Sequence, residues 1–186
     1  MDRDGVINRI TPGNYIRHIS EFKLLPNVKS SLAKLTRAGY EIHIISNQQG
    51  VAKGLMTRSQ LSEITQLLLE RLEKSGVKIN SVNYCTHWES ENCDCRKPNT
   101  GLFLQAVEDR KINFRETWMI GDSWRDMKAG KTLGCKTIFI GNSDFQTGKK
   151  IITESHEISP DYMVKNLSQA VNLVLKSERH SPSVEG

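Results

Sequence analysis

The run Glu41-Ile42-His43-Ile44-Ile45-Ser46-Asn47-Gln48-Gln49-Gly50 decides the fold. From Glu41 to Ser46 it reads as a strand, with isoleucine at 42, 44 and 45. Both faces of that strand are apolar, as in a parallel sheet covered by helices on each side. Ser46-Asn47-Gln48-Gln49-Gly50 follows at its carboxyl end, which is where open α/β sheets bind ligands. His43 lies within the strand and reads as a packed or edge histidine, not a catalytic one.

Helices and strands alternate outward from this segment. Pro26 opens a helix to about Ala38, with Val28, Leu32 and Leu35 on one face and Gly39 as its stop. Thr57-x-x-Gln60 is a capping box, and its helix reaches about Lys74 on a stripe of Leu61, Ile64, Leu68 and Leu72. Further strands are predicted at Ser81–Tyr84, Thr117–Ile120 and Lys136–Ile140. Helices are predicted from about Thr100 to Arg110 and from about Asp126 to Leu133, where Gly134 stops the second. Tyr162–Val164 reads as an edge strand and 167–176 as a closing helix. Residues 9–25, with Pro12, Gly13 and Asn14, read as a loop over the site, and 141–160 are loop-rich. This order predicts an α/β fold, a Rossmann-like three-layer sandwich with a parallel sheet and no large cap domain. One domain is expected over 1–176, with a disordered tail at 177–186.

The bulk numbers agree. A chain of 186 residues, 37% hydrophobic and 25% charged, buries a real core and is neither disordered nor fibrous. Its net charge of +5 is spread along the chain, which suits an anionic small molecule better than nucleic acid. No apolar run approaches a membrane span, and the amino terminus opens on charge. The expected setting is the cytoplasm, with no membrane or nucleic-acid partner and a monomeric chain.

Cys85-x-His87 and Cys93-x-Cys95 place three thiols and an imidazole within a short loop, 85–98. Four soft or borderline donors are a complete tetrahedral zinc set with no open position, so the zinc is expected to be structural. Cys135 lies apart, beside a strand, and reads as a small buried hydrophobe.

At the front, Asp2-Arg3-Asp4-Gly5-Val6-Ile7-Asn8 sets two carboxylates two residues apart, ahead of a glycine. Such a pair suits phosphoryl transfer: one carboxylate attacks and the other handles the leaving group's proton. The same spacing also occurs in turns and calcium loops. Lys97 follows the cysteine loop, and Gly121-Asp122 with Asp126 adds carboxylates at a strand's carboxyl end. Such oxygen donors suit Mg²⁺.

In chain order these segments resemble the motifs of the haloacid dehalogenase superfamily of aspartyl-phosphate phosphatases. DRDGVIN resembles its first motif, SNQQG the second, the lysine of CRKP the third and GDSWRD the fourth. The cysteine loop, RKPNTGL and GVAKG narrow the resemblance, over about residues 1–175, to the subfamily that holds heptose-bisphosphate and histidinol-phosphate phosphatases. The resemblance implies that Asp2 is the nucleophile and Asp4 the general acid and base. It implies that the Asp2 carboxylate, the Asp4 carbonyl and Asp122 hold Mg²⁺, and that Ser46, Asn47, Gln48 and Lys97 bind the reacting phosphoryl group. Arg96 is implied to recognise the substrate's polar end, and Asp126 to orient Lys97 or a metal-bound water. The implied substrate is a sugar phosphate, a heptose bisphosphate dephosphorylated at C7.

Three departures qualify that expectation. Only Met1 precedes Asp2, whereas the resemblance implies a central apolar strand there. The neighbouring strands are expected to lose a partner, and a cationic α-amino group is expected beside the nucleophile. A start upstream of Met1 is therefore expected, and the chain as it stands is expected to be weakly stable and slow. Ser123 stands where a lysine is found in the subfamily, which removes a phosphate contact. The short interval from His87 to Cys93 implies a loop that projects less over the site. Histidinol-phosphate hydrolysis, a non-catalytic zinc module and an inactive truncated phosphatase stay open as alternatives.

Overall fold

The computed structural model describes residues 1–10, 15–107, 110–141, 151–153 and 156–178. Its helices are α1 (Val28–Arg37), α2 (Arg58–Glu73), α3 (Gly101–Ala106), α4 (Trp124–Leu133) and α5 (Leu167–Glu178). Its strands are β1 (His43–Asn47), β2 (Ser81–Cys85), β3 (Trp118–Gly121), β4 (Lys136–Ile140), β5 (Ile151–Thr153), β6 (His156–Ile158) and β7 (Tyr162–Val164).

Local chemistry sets the helix ends. Thr57 caps α2 by accepting from the Gln60 amide, and Gln60 reciprocates to the Thr57 amide. A second box of the same kind, Ser123 with Asp126, starts α4 at Trp124, two residues before the expected start. The α1 helix begins at Val28 rather than Pro26, because Asn27 sits in the left-handed region at φ 61°. The α3 helix ends at Ala106, short of the expected Arg110; residues 108 and 109 lie outside the described residues. The expected loop over 141–160 contains the antiparallel pair β5–β6, while 142–150 and 154–155 lie outside the described residues. So do Pro12, Gly13 and Asn14, and the tail beyond Glu178; residues 177 and 178, expected in that tail, close α5. The loop at 9–25 also feeds the core, through Ile16 and Phe22.

The parallel pairing is β1 with β2 and β3 with β4 and β7, so Tyr162–Val164 is an edge strand as expected. The period of two along a strand sends successive side chains to opposite faces. Ile44 and Ile120 enter one core with Leu32, Leu68 and Val171, from α1, α2 and α5. Ile45 and Met119 enter another with Leu102, Phe103 and Ala129, from α3 and α4. Helices therefore cover both faces, which is why the isoleucine-rich strand needs no polar side.

The two parallel sheets are joined by the chain's first residues. The Met1 nitrogen donates to the His43 carbonyl at 2.8 Å, and the Ile45 amide donates to the Met1 carbonyl at 2.9 Å. The Asp2 amide donates to the Ile120 carbonyl at 2.9 Å. Met1 and Asp2 thus form a two-residue ladder between β1 and β3. Behind Met1 the two strands border a cavity of about 470 Å³ lined by Ile45, Phe103, Phe114, Trp118, Met119 and Val174, among others. The expected cationic α-amino group is not found. Burial, reinforced by the nearby Lys97 charge, brings the Met1 amine down to about 6, so it is mostly neutral at pH 7.

Candidate active site

The site lies at the carboxyl ends of β1 and β3 and at the Met1–Asp2 ladder. Its centre is Lys97. The Lys97 Nζ donates to Asp2 Oδ1 at 2.8 Å, Asp126 Oδ1 at 2.6 Å and the Ile45 carbonyl at 2.6 Å. Three acceptors use all three N–H bonds of the ammonium. Burial works against its charge, but the carboxylates of Asp126 and Asp2 outweigh that and hold Lys97 above its usual range. Asn47 fixes the lysine's backbone: its amide donates to the Lys97 carbonyl at 2.9 Å, and its Oδ1 accepts from the Lys97 amide at 3.0 Å. The Asn47 side chain, in the segment expected to bind the phosphoryl group, thus holds Lys97.

Asp2, Asp122 and Asp126 converge, each with a carboxylate oxygen within 4.8 Å of the others. Gly5 packs so closely on Asp122 that a Cβ there would collide with its carboxylate. Asp126 is saturated: Oδ1 faces Lys97, and Oδ2 accepts from the Ser123 amide at 3.1 Å and its hydroxyl at 2.7 Å. Asp126 is therefore tied to Lys97, and Asp2 and Asp122 are the carboxylates that can turn toward a cation. Burial, then the charges of Asp2 and Asp126, push Asp122 up to about 8. One ammonium does not compensate three carboxylates, and a compact set of hard oxygens short of positive charge fits a divalent ion such as Mg²⁺.

The Asp4 side chain sits in its own cradle. Its carboxylate accepts from Arg3 Nη2 at 3.0 Å, Asn8 Nδ2 at 2.7 Å and Gln48 Nε2 at 2.6 Å. Arg3, fully buried, also lies 5.4 Å over the Tyr84 ring. Gln48 reaches Ser46 Oγ at 3.2 Å, so Ser46, Gln48 and Asp4 form one chain of contacts. Arg3, Asn8 and Tyr84 did not emerge from sequence reading; a charged residue between two motif aspartates was the available signal.

The cysteine loop brings its four donors together. Cys85 Sγ lies 3.6 Å from Cys93 Sγ and 3.8 Å from His87 Nδ1, while Cys95 Sγ lies 3.1 Å from His87 Nδ1 and 3.3 Å from Cys93 Sγ. Tetrahedral Zn–S bonds of about 2.3 Å imply donor separations of roughly 3.7 Å, close to these values. The four residues could hold a metal ion. Cys135 is buried and apart, its thiol pushed up to about 11 by burial, as a packed hydrophobe should be.

Beside these residues stands a third cluster. Arg96 Nη2 lies 3.7 Å and Arg125 Nη2 2.9 Å from opposite oxygens of Glu89. The hydrogen bond from Arg125, then the Arg125 and Arg96 charges, keep the Glu89 carboxyl below its usual range.

Known proteins resemble this chain along nearly its whole length. The D-glycero-β-D-manno-heptose-1,7-bisphosphate 7-phosphatase of Haemophilus ducreyi is 33% identical over 181 residues, covering 94% of this chain and 96% of that protein. The chain belongs to that family. The 7-phosphatase of Haemophilus influenzae is 34% identical, covering 90% of each chain. A HAD-hydrolase-like family model matches residues 94–170. The crystal structure of D,D-heptose 1,7-bisphosphate phosphatase from B. bronchiseptica, complexed with magnesium and phosphate, superposes with a TM-score of 0.82 at 25% identity. It covers 95% of this chain and 96% of its own. The chain is thus a phosphatase of the HAD superfamily, and its 7-phosphatase lineage comes with an α/β fold without a cap.

The raised Asp122 gives a pH prediction whose sign is fixed. Asp122 rests near 8 in the fold against 3.8 unfolded, so between those values the unfolded chain has already lost a proton that the folded chain keeps. Stability should therefore fall as pH rises through that window. The Met1 amine, at about 6 folded against 8.0 unfolded, acts oppositely above about pH 6. His43, which burial holds below 6.5, also acts oppositely, so the Asp122 contribution is read as the difference between wild type and Asp122→Asn. In metal-free buffer the wild-type melting temperature should fall relative to that of Asp122→Asn as pH rises from about 5 to 7, and the variant should melt several degrees higher. Mg²⁺ should stabilise the wild type and not the variant. A variant that melts below wild type without metal refutes the charge-crowding account.

Proposed function

We propose that this phosphatase removes the C7 phosphate of D-glycero-D-manno-heptose 1,7-bisphosphate through an aspartyl-phosphate at Asp2. The arrangement that supports this most is the Asp2–Lys97–Asp126 array beside Asp122, at the strand ends of a chain in the 7-phosphatase family. A carboxylate oxygen of Asp2 attacks phosphorus, and the bond from phosphorus to the C7 oxygen breaks. The electron pair leaves on that oxygen, and Asp4 supplies its proton. Water then attacks phosphorus, Asp4 takes its proton, and Asp2 leaves as carboxylate with release of inorganic phosphate. The Ser46 hydroxyl holds a phosphoryl oxygen and Lys97 sets its fixed positive charge beside the phosphoryl group, with Gln48 placing Ser46 and Asp4 relative to each other. Mg²⁺ on Asp2, Asp122 and the Asp4 carbonyl supplies positive charge to the transferring phosphoryl group.

Zinc on Cys85, His87, Cys93 and Cys95 is assigned a structural role, since four protein donors leave no site for water. Elemental analysis should find one zinc per chain, and strong chelation should lower the melting temperature and open the 85–98 loop to protease. Full-stability protein without zinc removes this assignment. Among the described residues no helix is long and apolar enough to cross a membrane.

Phosphate release from the heptose bisphosphate, histidinol phosphate and an aryl phosphate, each with Mg²⁺, tests the reading. The bisphosphate is expected to lead histidinol phosphate by roughly 100-fold in kcat/KM, as a site built for polar groups should discriminate. Release from histidinol phosphate alone, or from none of the three, overturns it.

A further inference from the structure

Arg96 and Arg125 are brought together by the two chain segments that build the catalytic array. Arg96 immediately precedes Lys97, and Arg125 immediately precedes Asp126, and Lys97 and Asp126 are themselves 2.6 Å apart. The guanidinium groups therefore extend from the CRKP loop and from the first turn of α4, the segments that carry Lys97 and Asp126, and meet at Glu89. Both are short of acceptors. Arg96 Nε and Nη1 and Arg125 Nε are buried with no hydrogen-bond partner. Glu89 is the carboxylate they share, and its contact with Arg96, at 3.7 Å, is too long for a direct hydrogen bond. Buried guanidinium N–H groups without acceptors are costly, and planar donors in pairs match phosphoryl oxygens.

Glu89 is placed to come away. Its side chain is 60% exposed, and it sits on the short 3-10 turn Glu89–Glu91 within the cysteine loop. Arg125, by contrast, is stacked 4.9 Å over the Trp124 ring, which fixes it in place. The cations are therefore held and the anion is movable.

Resting on the reading of the substrate as a bisphosphate, we infer that Arg125 is a specificity-determining residue. With Arg96 it forms a fork for the phosphoryl group that is not hydrolysed, and Glu89 is an internal competitor that occupies the fork until that group displaces it. A phosphoryl dianion offers more charge and more acceptors than one carboxylate, so the exchange favours substrate. Because Glu89 lies between His87 and Cys93, the competitor rides on the cysteine loop, and the order of that loop sets how readily the fork opens.

The test compares Arg125→Ala, Arg125→Lys, Glu89→Gln and the Arg125→Ala/Glu89→Gln pair. Kinetics on the heptose bisphosphate and on an aryl phosphate give the ratio of the two kcat/KM values, and calorimetry gives the dissociation constant for the bisphosphate without turnover. Arg125→Ala should lower the ratio by about 10- to 100-fold, mainly through KM, as loss of a charge-assisted contact does. Glu89→Gln should move the ratio and the affinity the opposite way, by several-fold. Arg125→Lys, which keeps the charge and the fold, should recover part of the loss. In the double variant the Glu89 effect should shrink, since its partner is gone. If Glu89 is a structural tie only, Glu89→Gln lowers the melting temperature and leaves the ratio and affinity where they were, and the proposal fails. If wild type binds the bisphosphate with this mutational pattern but releases no phosphate, the fork stands and the hydrolytic reading falls.

Discussion

Lys97→Met is expected to remove most turnover and much of the stability together. The ammonium has three buried acceptors, Asp2, Asp126 and the Ile45 carbonyl. Methionine fills a similar volume but leaves two carboxylates buried without their cation. Breaking a buried ion pair from one side costs about 3–5 kcal/mol. For a chain of this size that is a fall in melting temperature of roughly 10 °C or more. The same change deletes the fixed positive charge facing the transferring phosphoryl group, worth about 10²–10³ in kcat. Thermal unfolding and kinetics with saturating Mg²⁺ check both parts. A Lys97→Met protein as stable as wild type would mean that Asp2 and Asp126 take up protons at no cost, against the description of the site as a locked charge array.

Asp2→Asn should separate those two effects. It removes the attacking oxygen's charge, so turnover is expected to fall by at least about 10⁴-fold. It also removes one of three crowded carboxylates, and the amide oxygen can still accept from Lys97. The variant should therefore melt at or above the wild-type temperature in metal-free buffer, and gain less from added Mg²⁺. Phosphate release and melting curves, with and without the metal, read the pair of outcomes. Turnover by the Asp2→Asn variant at more than about one-hundredth of wild type would exclude a covalent step at this position. A stable but inactive Asp2→Asn beside an unstable Lys97→Met is the pattern expected of a site that sacrifices stability for function.

How much of this was legible beforehand depends on whether the signal was local. The Thr57–Gln60 box, the isoleucines of β1 and the Cys-x-His/Cys-x-Cys pairs act over a few residues, and each gave the element or cluster observed. The Ser123–Asp126 box carried the same information, and a start at Trp124 could have been read from it. Asn47 was harder. Its position at the carboxyl end of β1 suits a ligand-binding residue, and only the fold shows that Lys97, fifty positions later, takes both ends of its amide. The Asp4 cradle needed Arg3 to be buried, and burial of an arginine is decided by what surrounds it, here Tyr84 from β2. The ionisation of the Met1 amine reversed the expectation for the same reason: desolvation is a property of the packed molecule, not of the residue.

The Met1 nitrogen, tucked against the His43 carbonyl, constrains how the protein can be handled. Any residue joined to that nitrogen starts beside the cavity lined by Ile45, Met119 and Trp118. A valine- and isoleucine-rich leader suits that apolar lining better than a glycine- and histidine-rich one. The proposed nucleophile is the very next residue, so the composition of such a leader would be felt directly at Asp2.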